Sequence, residues 1–440
     1  MEKHYTDQGT TLPYHVADKD NKHWTYEPHV AEKIFNLMLD EAGVKVHLEE
    51  TLDKAETTER TIVAVRTRSG KRFAGKVFID ASYEGDLMAA AGVGYRVGRE
   101  GRDEFHESLA GARYPKDAVT VSTMDDTSKP LALLTTAAKS PEGQGDKLIM
   151  TYSFRFCFSR DPANQVPFTK PANYDPQHYE LVRRYLLAYP KTDRLIDLYP
   201  IPGNKLDGNN GIALQLSTGL VGENADYPDA NATRRQEMWE AHRSYAEGLF
   251  YFMKTDPCVP AHMRETINKI GYAKDEFQKF DHFPPVLYVR EARRMEGAYF
   301  LTEADILINI NKPDSIGVGS FPIDSHDCRR IALDSNTFIN DGTIFPVHVR
   351  GRDIGQPHQL PYRTITPKPE QCTNLLVPVC LSSSHVAFSS VRVEPTWIVL
   401  GQSSGVAAAV AVEKSLPVQS ISYSELAARL KKQKQILEIP

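Results

Sequence analysis

The feature that most constrains the fold of this chain is the short apolar run Val77-Phe78-Ile79, which ends on Asp80, Ala81 and Ser82. An apolar run of this length predicts an interior parallel strand, because such a strand is covered by helices on both faces. Residues 83–92 carry Leu, Met and Ala and end on glycine, which predicts a helix. A buried strand followed directly by a helix indicates an open α/β sheet.

The residues before this strand predict a β excursion from the sheet. Apolar residues at helical spacing predict a helix over 28–42, and alternating residues predict a short strand over 44–48. Residues 61–65 predict another strand, with 71–76 as its hairpin partner after a glycine turn. The first 25 residues are polar and predict no opening strand of a nucleotide-binding sheet.

The chain of 440 residues is too long for one ordinary core. Residues 1–100 and 371–440 are expected to form one α/β domain, because apolar and small-residue patterns return at the end of the chain. Residues 101–370 are expected to form a large inserted α+β cap, since proline and aromatic residues are frequent there. Further predicted elements are helices over 175–197, 231–254 and 260–279, a strand over 375–381, and helices over 396–412 and 423–437.

Composition argues against several classes of protein. The formal net charge of −5, with dispersed basic residues, argues against nucleic-acid binding, which requires a basic surplus. No run of roughly 18 apolar residues occurs, so no membrane span is expected. Five widely spaced cysteines without a C-x-x-C pair indicate free thiols in a reducing compartment. We therefore expect a cytoplasmic protein without a metal site.

The first candidate site is the end of the apolar strand, which carries Asp80, Ala81, Ser82, Glu84 and Asp86. In open α/β sheets, ligands bind beyond the carboxyl ends of the strands, which favours a cofactor here. The alternative is that Ser82 and Glu84 only cap the following helix, because their oxygens accept hydrogen bonds from its first N–H groups.

The second candidate site runs from Ser384 and His385 through Arg392 and Glu394 to the small-residue stretch 401–405. Glycine and serine in that stretch let a cofactor approach the backbone, and a helix N-terminus there would favour a phosphate or a reduced ring. The alternative is that the small residues only allow two elements to pack closely. The sequence leaves both interpretations open.

The third candidate site holds Arg290, Arg293 and Arg294 after an apolar run, so one of these guanidinium groups is a candidate to hold an anion in a cleft. The alternative is pairing with Glu291 and Glu296 at the surface. Histidines add candidate proton donors and acceptors, because imidazole titrates near neutral pH. These histidines are His326, His348, His358 and His385.

Sequence motifs exclude other chemistries. Residues 401–405 match the G-x-S-x-G spacing, but they fall inside the helix predicted over 396–412 and not at a strand-to-helix turn, so a hydrolytic triad is not supported. The chain carries no G-x-G-x-x-G fingerprint and no P-loop.

Five stretches, taken in order, resemble FAD-dependent oxidoreductases that are distantly related to fumarate reductase and glutathione reductase. Members are often bacterial, and some are labelled xanthan lyases. The stretches are 24–31, 78–100, 290–305, 319–326 and 382–409. The resemblance implies an FAD-binding, Rossmann-like open sheet with a β-meander and an inserted cap. Family members begin with a βαβ unit of the G-x-G-x-x-G type, so we expect roughly 70–80 residues to be missing and the sheet to be incomplete at the N-terminus.

The same resemblance implies roles for the candidate residues. Those expected beside the ADP moiety of FAD are Asp80, Ala81, Ser82, Glu84 and Asp86. Those expected near the isoalloxazine are Ser384, His385, Arg392 and Glu394. A helix start facing the pyrimidine edge is expected from Gly401, Gln402, Ser403 and Gly405.

The expected function is hydride transfer between flavin N5 and a small, carbohydrate-like substrate enclosed by the cap. The catalytic candidates are Arg290, Arg293, His326 and His385. One alternative is a truncated, non-catalytic fragment that does not bind FAD. Another is a polysaccharide lyase or hydrolase. The sequence does not specify the substrate, the electron acceptor or the oligomeric state.

Overall fold

The computed structural model describes residues 2–9, 25–211, 214–308, 310–345 and 356–439. The α-helices are α1 (Glu2–Asp7), α2 (Pro28–Glu41), α3 (Asp86–Ala90), α4 (Arg102–Phe105), α5 (Glu180–Ala188), α6 (Ala232–Thr255), α7 (Ala261–Asn268), α8 (Glu303–Leu307), α9 (His385–Val391), α10 (Glu394–Lys414) and α11 (Tyr423–Lys432). The candidate His348, and residues 10–24 of the polar N-terminal stretch, lie outside the described residues.

The β-strands are β1 (Leu52–Thr58), β2 (Thr61–Thr67), β3 (Arg72–Ala74), β4 (Phe78–Ile79), β5 (Tyr95–Arg96), β6 (Val119–Thr120), β7 (Phe156–Ser159), β8 (Gln165–Val166), β9 (Asp197–Ile201), β10 (Lys205–Asn209), β11 (Gly271–Ala273), β12 (Arg294–Met295), β13 (Ser315–Gly319), β14 (Arg329–Ala332), β15 (Thr337–Asp341), β16 (His358–Pro361) and β17 (Leu375–Leu376). All five cysteines are free, as expected.

A three-stranded antiparallel meander, ordered β1-β2-β3, precedes the apolar strand. The hairpin of β2 and β3 confirms the prediction for 61–76. β1 is polar in sequence and was not predicted; it forms as an edge strand, where charged side chains are common. The strand predicted over 44–48 is wrong, because these residues have no strand partner and Leu48 is 79% exposed.

The parallel element of the fold is the pair β4 and β17, with Phe78 opposite Leu375 and Ile79 opposite Leu376. The other sheets in the described part of the chain are antiparallel. Because β4 has a neighbouring strand on one side only, Ile79 is 38% exposed. The prediction of a fully buried interior strand is therefore wrong for the residues that the structure describes.

We keep the name cap for residues 101–370, whose status as an inserted domain stays a prediction. This region contains a five-stranded antiparallel sheet, ordered β8-β11-β7-β10-β9. The long helix α6 packs on it and begins at Asn231, whose side chain accepts a hydrogen bond from the Arg234 N–H. The helix predicted over 260–279 ends at Asn268, because the chain enters β11, where a Cβ on Gly271 would lie 2.6 Å from the Val166 carbonyl oxygen. The helix predicted over 175–197 is shorter too: α5 ends at Ala188, and residues 197–201 form β9. The core is aromatic, with Phe154, Phe156, Phe158, Phe250 and Phe283.

A second core joins the C-terminal helices to residues 301–365. Ile316 on β13 packs with Leu400 and Ala407 on α10 and with Leu426 on α11. Residues 301–365 were assigned to the cap from sequence, but most of their buried apolar side chains belong to this core, whereas Phe338 belongs to the first. The domain limits themselves stay a prediction. Helix α10 is long and apolar enough to cross a membrane, yet core helices of soluble proteins meet the same criterion.

Candidate functional site

The polar end of β4 is organised by its own side chains. Asp80 Oδ1 accepts hydrogen bonds from the Ser82 N–H at 3.1 Å and the Ser82 hydroxyl at 2.6 Å. Asp80 Oδ2 accepts from the Met88 N–H at 2.8 Å, and Ser82 Oγ accepts from the Gly85 N–H at 3.0 Å. Asp80 therefore caps α3, and Ser82 holds the turn before it; Glu84, which the capping alternative named beside Ser82, accepts from the Tyr227 hydroxyl instead. Contact of these side chains with a cofactor stays a prediction.

A cavity of about 480 Å³ opens beside this strand end. The predicted cofactor residues on its lining are Asp80, Ala81, Ser82 and Asp86, and apolar meander residues on its lining are Leu52, Val65 and Phe73. A cavity of this size, with apolar walls and a few polar groups, is typical of a small-ligand site. The structure thus brings four of the predicted cofactor residues to one cavity.

Asp86 connects the end of β4 to the cap through two arginines. Arg235 Nη1 lies 2.6 Å from Asp86 Oδ2, and Arg293 Nη1 lies 2.7 Å from Asp86 Oδ1. Burial alone would raise the pKa of Asp86, but the hydrogen bonds from both arginines outweigh it and lower the pKa. Arg293 also pairs with Asp229 at 3.0 Å and donates to the backbone of Glu84, whose own pKa is raised by burial. The catalytic candidate Arg293 is thus already held by two carboxylates.

Two other predicted residues, His326 and Arg392, meet at the carboxylate of Asp324, and the charge of Arg290 also acts on it; we call Asp324, His326, Arg290 and Arg392 the Asp324 cluster. Arg392 Nη2 lies 3.1 Å and His326 Nε2 lies 3.7 Å from Asp324 Oδ1. Both arginines are buried, whereas 15% of the Asp324 side chain and 10% of the His326 side chain are exposed. Burial raises the pKa of Asp324 despite the opposing charges of Arg392 and Arg290. Solvent therefore reaches this cluster at its carboxylate and its imidazole.

Arg290 is positioned in the cluster by the cap. Its Nη1 donates to the Thr151 carbonyl oxygen at 2.6 Å, and its Nη2 donates to Ser153 Oγ at 2.7 Å. Its Nε has no partner among the described residues. Burial, and then the charge of Arg392, lowers the pKa of Arg290 to about 9. The guanidinium is thus held rigidly but lacks a carboxylate of its own within ion-pair distance.

The protonation of His326 follows from the orientation of Asn210. The Gly219 N–H donates to Asn210 Oδ1 at 3.2 Å, so the amide nitrogen of Asn210 must face His326 Nδ1, at 3.2 Å. That amide nitrogen can only donate, so Nδ1 accepts and the neutral ring carries its proton on Nε2. Burial, and then the charges of Arg290 and Arg392, hold the pKa of His326 well below its ordinary value. His326 is therefore a neutral donor directed by Nε2 towards Asp324.

His385 belongs to a second buried network at the start of α9. His385 Nδ1 lies 2.9 Å from both carboxylate oxygens of Glu291, and its backbone N–H donates to Glu100 Oε2 at 2.8 Å. Arg294 pairs with Glu100 at 2.8 Å and with Glu291 at 3.0 Å. No residue in the described ranges hydrogen-bonds His385 Nε2, so this atom is the one the ring can offer to a ligand.

Ser384 connects this network to a carboxyl group that the sequence did not single out. Its hydroxyl donates to the buried Glu107 at 2.5 Å, and its Oγ caps α9 by accepting from the Ala387 N–H at 3.1 Å. Burial raises the pKa of Glu107 to about 7, and its Oε2 has no partner in the described part of the chain. Glu100 and Glu107 were missed because they lie in irregular segments, where no periodicity or spacing reveals burial.

The stretch 401–405 lies inside α10, because that helix begins at Glu394 with Pro395 in its first turn. The predicted helix start at Gly401 is therefore wrong. Ser403 donates to a backbone carbonyl of β13 at 2.9 Å, and Gln402 is exposed. A Cβ on Gly401 or Gly405 would meet no atom within 4 Å, so close packing among the described residues does not require glycine at either position.

One acidic cluster has the composition of a metal site but holds an ammonium group instead. Glu27, His29, Asp275 and Glu276 bring their ligand atoms within 4.8 Å of one another. Lys205 Nζ lies 2.8 Å from Glu27, 2.7 Å from Asp275 and 2.6 Å from Glu276. The lysine therefore occupies the position that a cation would take.

Comparison with known proteins decides the family. A model of the family described as FAD dependent oxidoreductase matches residues 2–430, nearly the whole chain. The chain belongs to this family. No curated protein and no solved structure matches the chain. The family model matches this FAD-dependent oxidoreductase from residue 2, whereas the resemblance was expected to start at residue 24. The loss of an opening segment stays a prediction.

The residues of this FAD-dependent oxidoreductase fit one part of the cofactor. The cavity beside β4 has the volume and the mixed lining that a nucleoside requires, with apolar side chains for a ring and carboxylate or hydroxyl oxygens for the sugar hydroxyls. His385 Nε2, which no described residue hydrogen-bonds, offers a polar atom to another part of a ligand. The sequence contains no glycine-rich G-x-G-x-x-G loop that would bind the phosphates of the cofactor.

Proposed function

We propose that this protein uses bound FAD to oxidise or reduce a small, carbohydrate-like substrate that carries an acidic group. The observation that supports this proposal is the composition of the Asp324 cluster, in which the buried Arg392 pairs with a carboxylate that solvent can reach and the buried Arg290 lies nearby without an ion-pair partner among the described residues. Guanidinium groups bind carboxylates in a planar, bidentate manner. Two cations against one carboxylate leave an excess positive charge, which an acidic substrate would balance.

In this proposal, the residues of the cluster have separate roles. Arg290 and Arg392 bind the acidic group, and the His326 Nε2–H donates a hydrogen bond to a substrate oxygen and keeps its proton. Asp324 accepts the hydroxyl proton when an alcohol is oxidised to a carbonyl, because a buried carboxylate with a raised pKa is a stronger base. The other hydrogen leaves carbon as a hydride. When bound, FAD supplies the two-electron acceptor for that hydride at flavin N5.

Cofactor binding in the same proposal uses the second set of residues. Asp80, Ala81, Ser82 and Asp86 hold the adenosine at the cavity beside β4. His385 contacts the flavin end through Nε2, and Glu291 keeps that imidazole oriented through Nδ1.

The test is anaerobic reduction of the FAD-loaded protein, followed by loss of oxidised flavin absorbance. A panel of sugar acids is compared with the corresponding neutral sugars, and only the sugar acids should reduce the flavin. Asp324→Asn should slow reduction by about 10²–10⁴-fold, the usual contribution of a general base. Asp314→Asn, which removes a carboxylate paired with Arg363 elsewhere, is the matched control. Equal rates for both variants, or reduction by neutral sugars alone, would contradict the proposal.

A further inference from the structure

A buried arginine without an acceptor lies beside a small cavity in the cap. Arg330 on β14 is 3% exposed, and burial lowers its pKa. Its Nε and Nη1 are fully buried without a hydrogen-bond partner, and no described residue accepts a bond from its side chain. The equally buried Arg290 and Arg294 each have acceptors, so Arg330 differs from them.

The cavity has a volume of about 20 Å³, and Arg330 forms part of its lining. The polar residues that share the lining are Thr151, Asn210, Ser217, His326 and Thr343. The Thr151 hydroxyl is also buried without a partner. Two side chains with unused donors therefore border the same small space.

The carboxylate nearest in the chain, Asp327, compensates Arg330 only by its charge at a distance. Asp327 also lines the cavity, but no ion pair of 4.0 Å or less joins it to Arg330, and its carboxylate accepts from the Thr343 hydroxyl instead. An ionised group buried without a partner is strongly unfavourable, so Arg330 requires an acceptor that the described residues do not provide.

We propose that the cavity binds one monoatomic anion of the size of chloride, held by the Arg330 guanidinium and the Thr151 hydroxyl. Both groups donate, and a halide accepts from every direction, so one ion satisfies the unused donors together. The volume admits roughly one water-sized particle, which excludes sulfate, phosphate and the carboxylate of a substrate. This site is separate from the Asp324 cluster, although His326 lines both.

Bromide replaces chloride and scatters X-rays anomalously, so crystals of the wild-type protein grown in sodium bromide test the site directly. We expect an anomalous peak between Arg330 and Thr151. Density for a water without an anomalous peak would overturn the proposal, whatever the behaviour of any variant.

A second measurement compares the thermal unfolding midpoint in sodium chloride and in sodium gluconate at equal ionic strength. An anion that binds only the folded state should raise the wild-type midpoint by about 2 °C or more in chloride. Arg330→Met should lose this chloride-dependent rise, while Arg68→Met, at an exposed arginine, should keep it. A rise that persists in Arg330→Met would show that chloride acts elsewhere and would contradict the proposal.

Discussion

His242 shows at a single residue how burial sets charge. It lies in the middle of α6, 1% exposed, with Nδ1 donating to the Met238 carbonyl oxygen at 2.7 Å and Nε2 without a partner in the described residues. Burial lowers its pKa to about 4. Below the ordinary pKa near 6.5, this histidine is protonated in the unfolded chain but stays neutral in the folded protein. The unfolding free energy therefore falls by about 1.4 kcal/mol for each pH unit between these two pKa values.

Replacing His242 by leucine should therefore cost less stability in acid than at neutral pH. Between pH 7.5 and pH 5 the difference in unfolding free energy between wild type and His242→Leu should shrink by about 2 kcal/mol. Urea unfolding at both pH values measures it, with His262→Leu at an exposed position as control. A difference that does not change with pH would contradict the buried, neutral imidazole.

We predict that Lys205 stabilises the fold by neutralising the carboxylates that surround it. Its ammonium is 1% exposed and pairs with Glu27, Asp275 and the buried Glu276. Lys205→Met leaves these carboxylates without a cation, so we expect a loss of about 3–5 kcal/mol in unfolding free energy. Denaturant unfolding measures it, and Lys274→Met, at an exposed neighbour, is the control. A loss below about 1 kcal/mol, the range of exposed pairs, would show that the cluster is not buried as described.

At the scale of elements, the helix α10 gives a direct test of what its glycines do. A Cβ on Gly405 would meet no atom within 4 Å, so Gly405→Ala should stabilise the protein by about 0.5–1 kcal/mol, the helix preference of alanine over glycine. In contrast, a Cβ on Gly317 would lie 2.3 Å from Val399 Cγ1, so Gly317→Ala should cost about 1–3 kcal/mol. Thermal unfolding compares the two.

Gly405→Ala also distinguishes the two interpretations of the 401–405 stretch, namely approach of a cofactor and close packing of two elements. If FAD approaches α10 closely, Gly405→Ala should weaken FAD binding although it stabilises the fold. Destabilisation by Gly405→Ala in the absence of FAD would instead show that the glycine serves packing.

Elements with strong local signals were predictable from the sequence. The 28–42 helix, the hairpin of β2 and β3, and the long helices α6 and α10 follow from apolar spacing and turn residues. The errors lie where the outcome depends on distant partners. Val44–Leu48 alternates like a strand but has no strand beside it, and the polar β1 forms a strand because β2 is available.

At the scale of the whole molecule, the sequence offered candidate residues but not their arrangement. His326 and Arg392 come from separate segments and converge on Asp324, which was not singled out. The carboxylates Glu100 and Glu291 converge on His385 in the same way. Such convergence depends on the packing of the cap against the C-terminal core, and no local pattern records it.

The central claim is that this chain binds FAD at the cavity beside β4. The most direct measurement is titration of the purified protein with FAD, followed by flavin absorbance and fluorescence after removal of free cofactor. We expect stoichiometric uptake by the wild type and a loss of affinity of about tenfold or more in Ala81→Trp, which fills the cavity, but not in Ala188→Trp, at an exposed position on the cap. A colourless protein that takes up no added FAD would contradict the account.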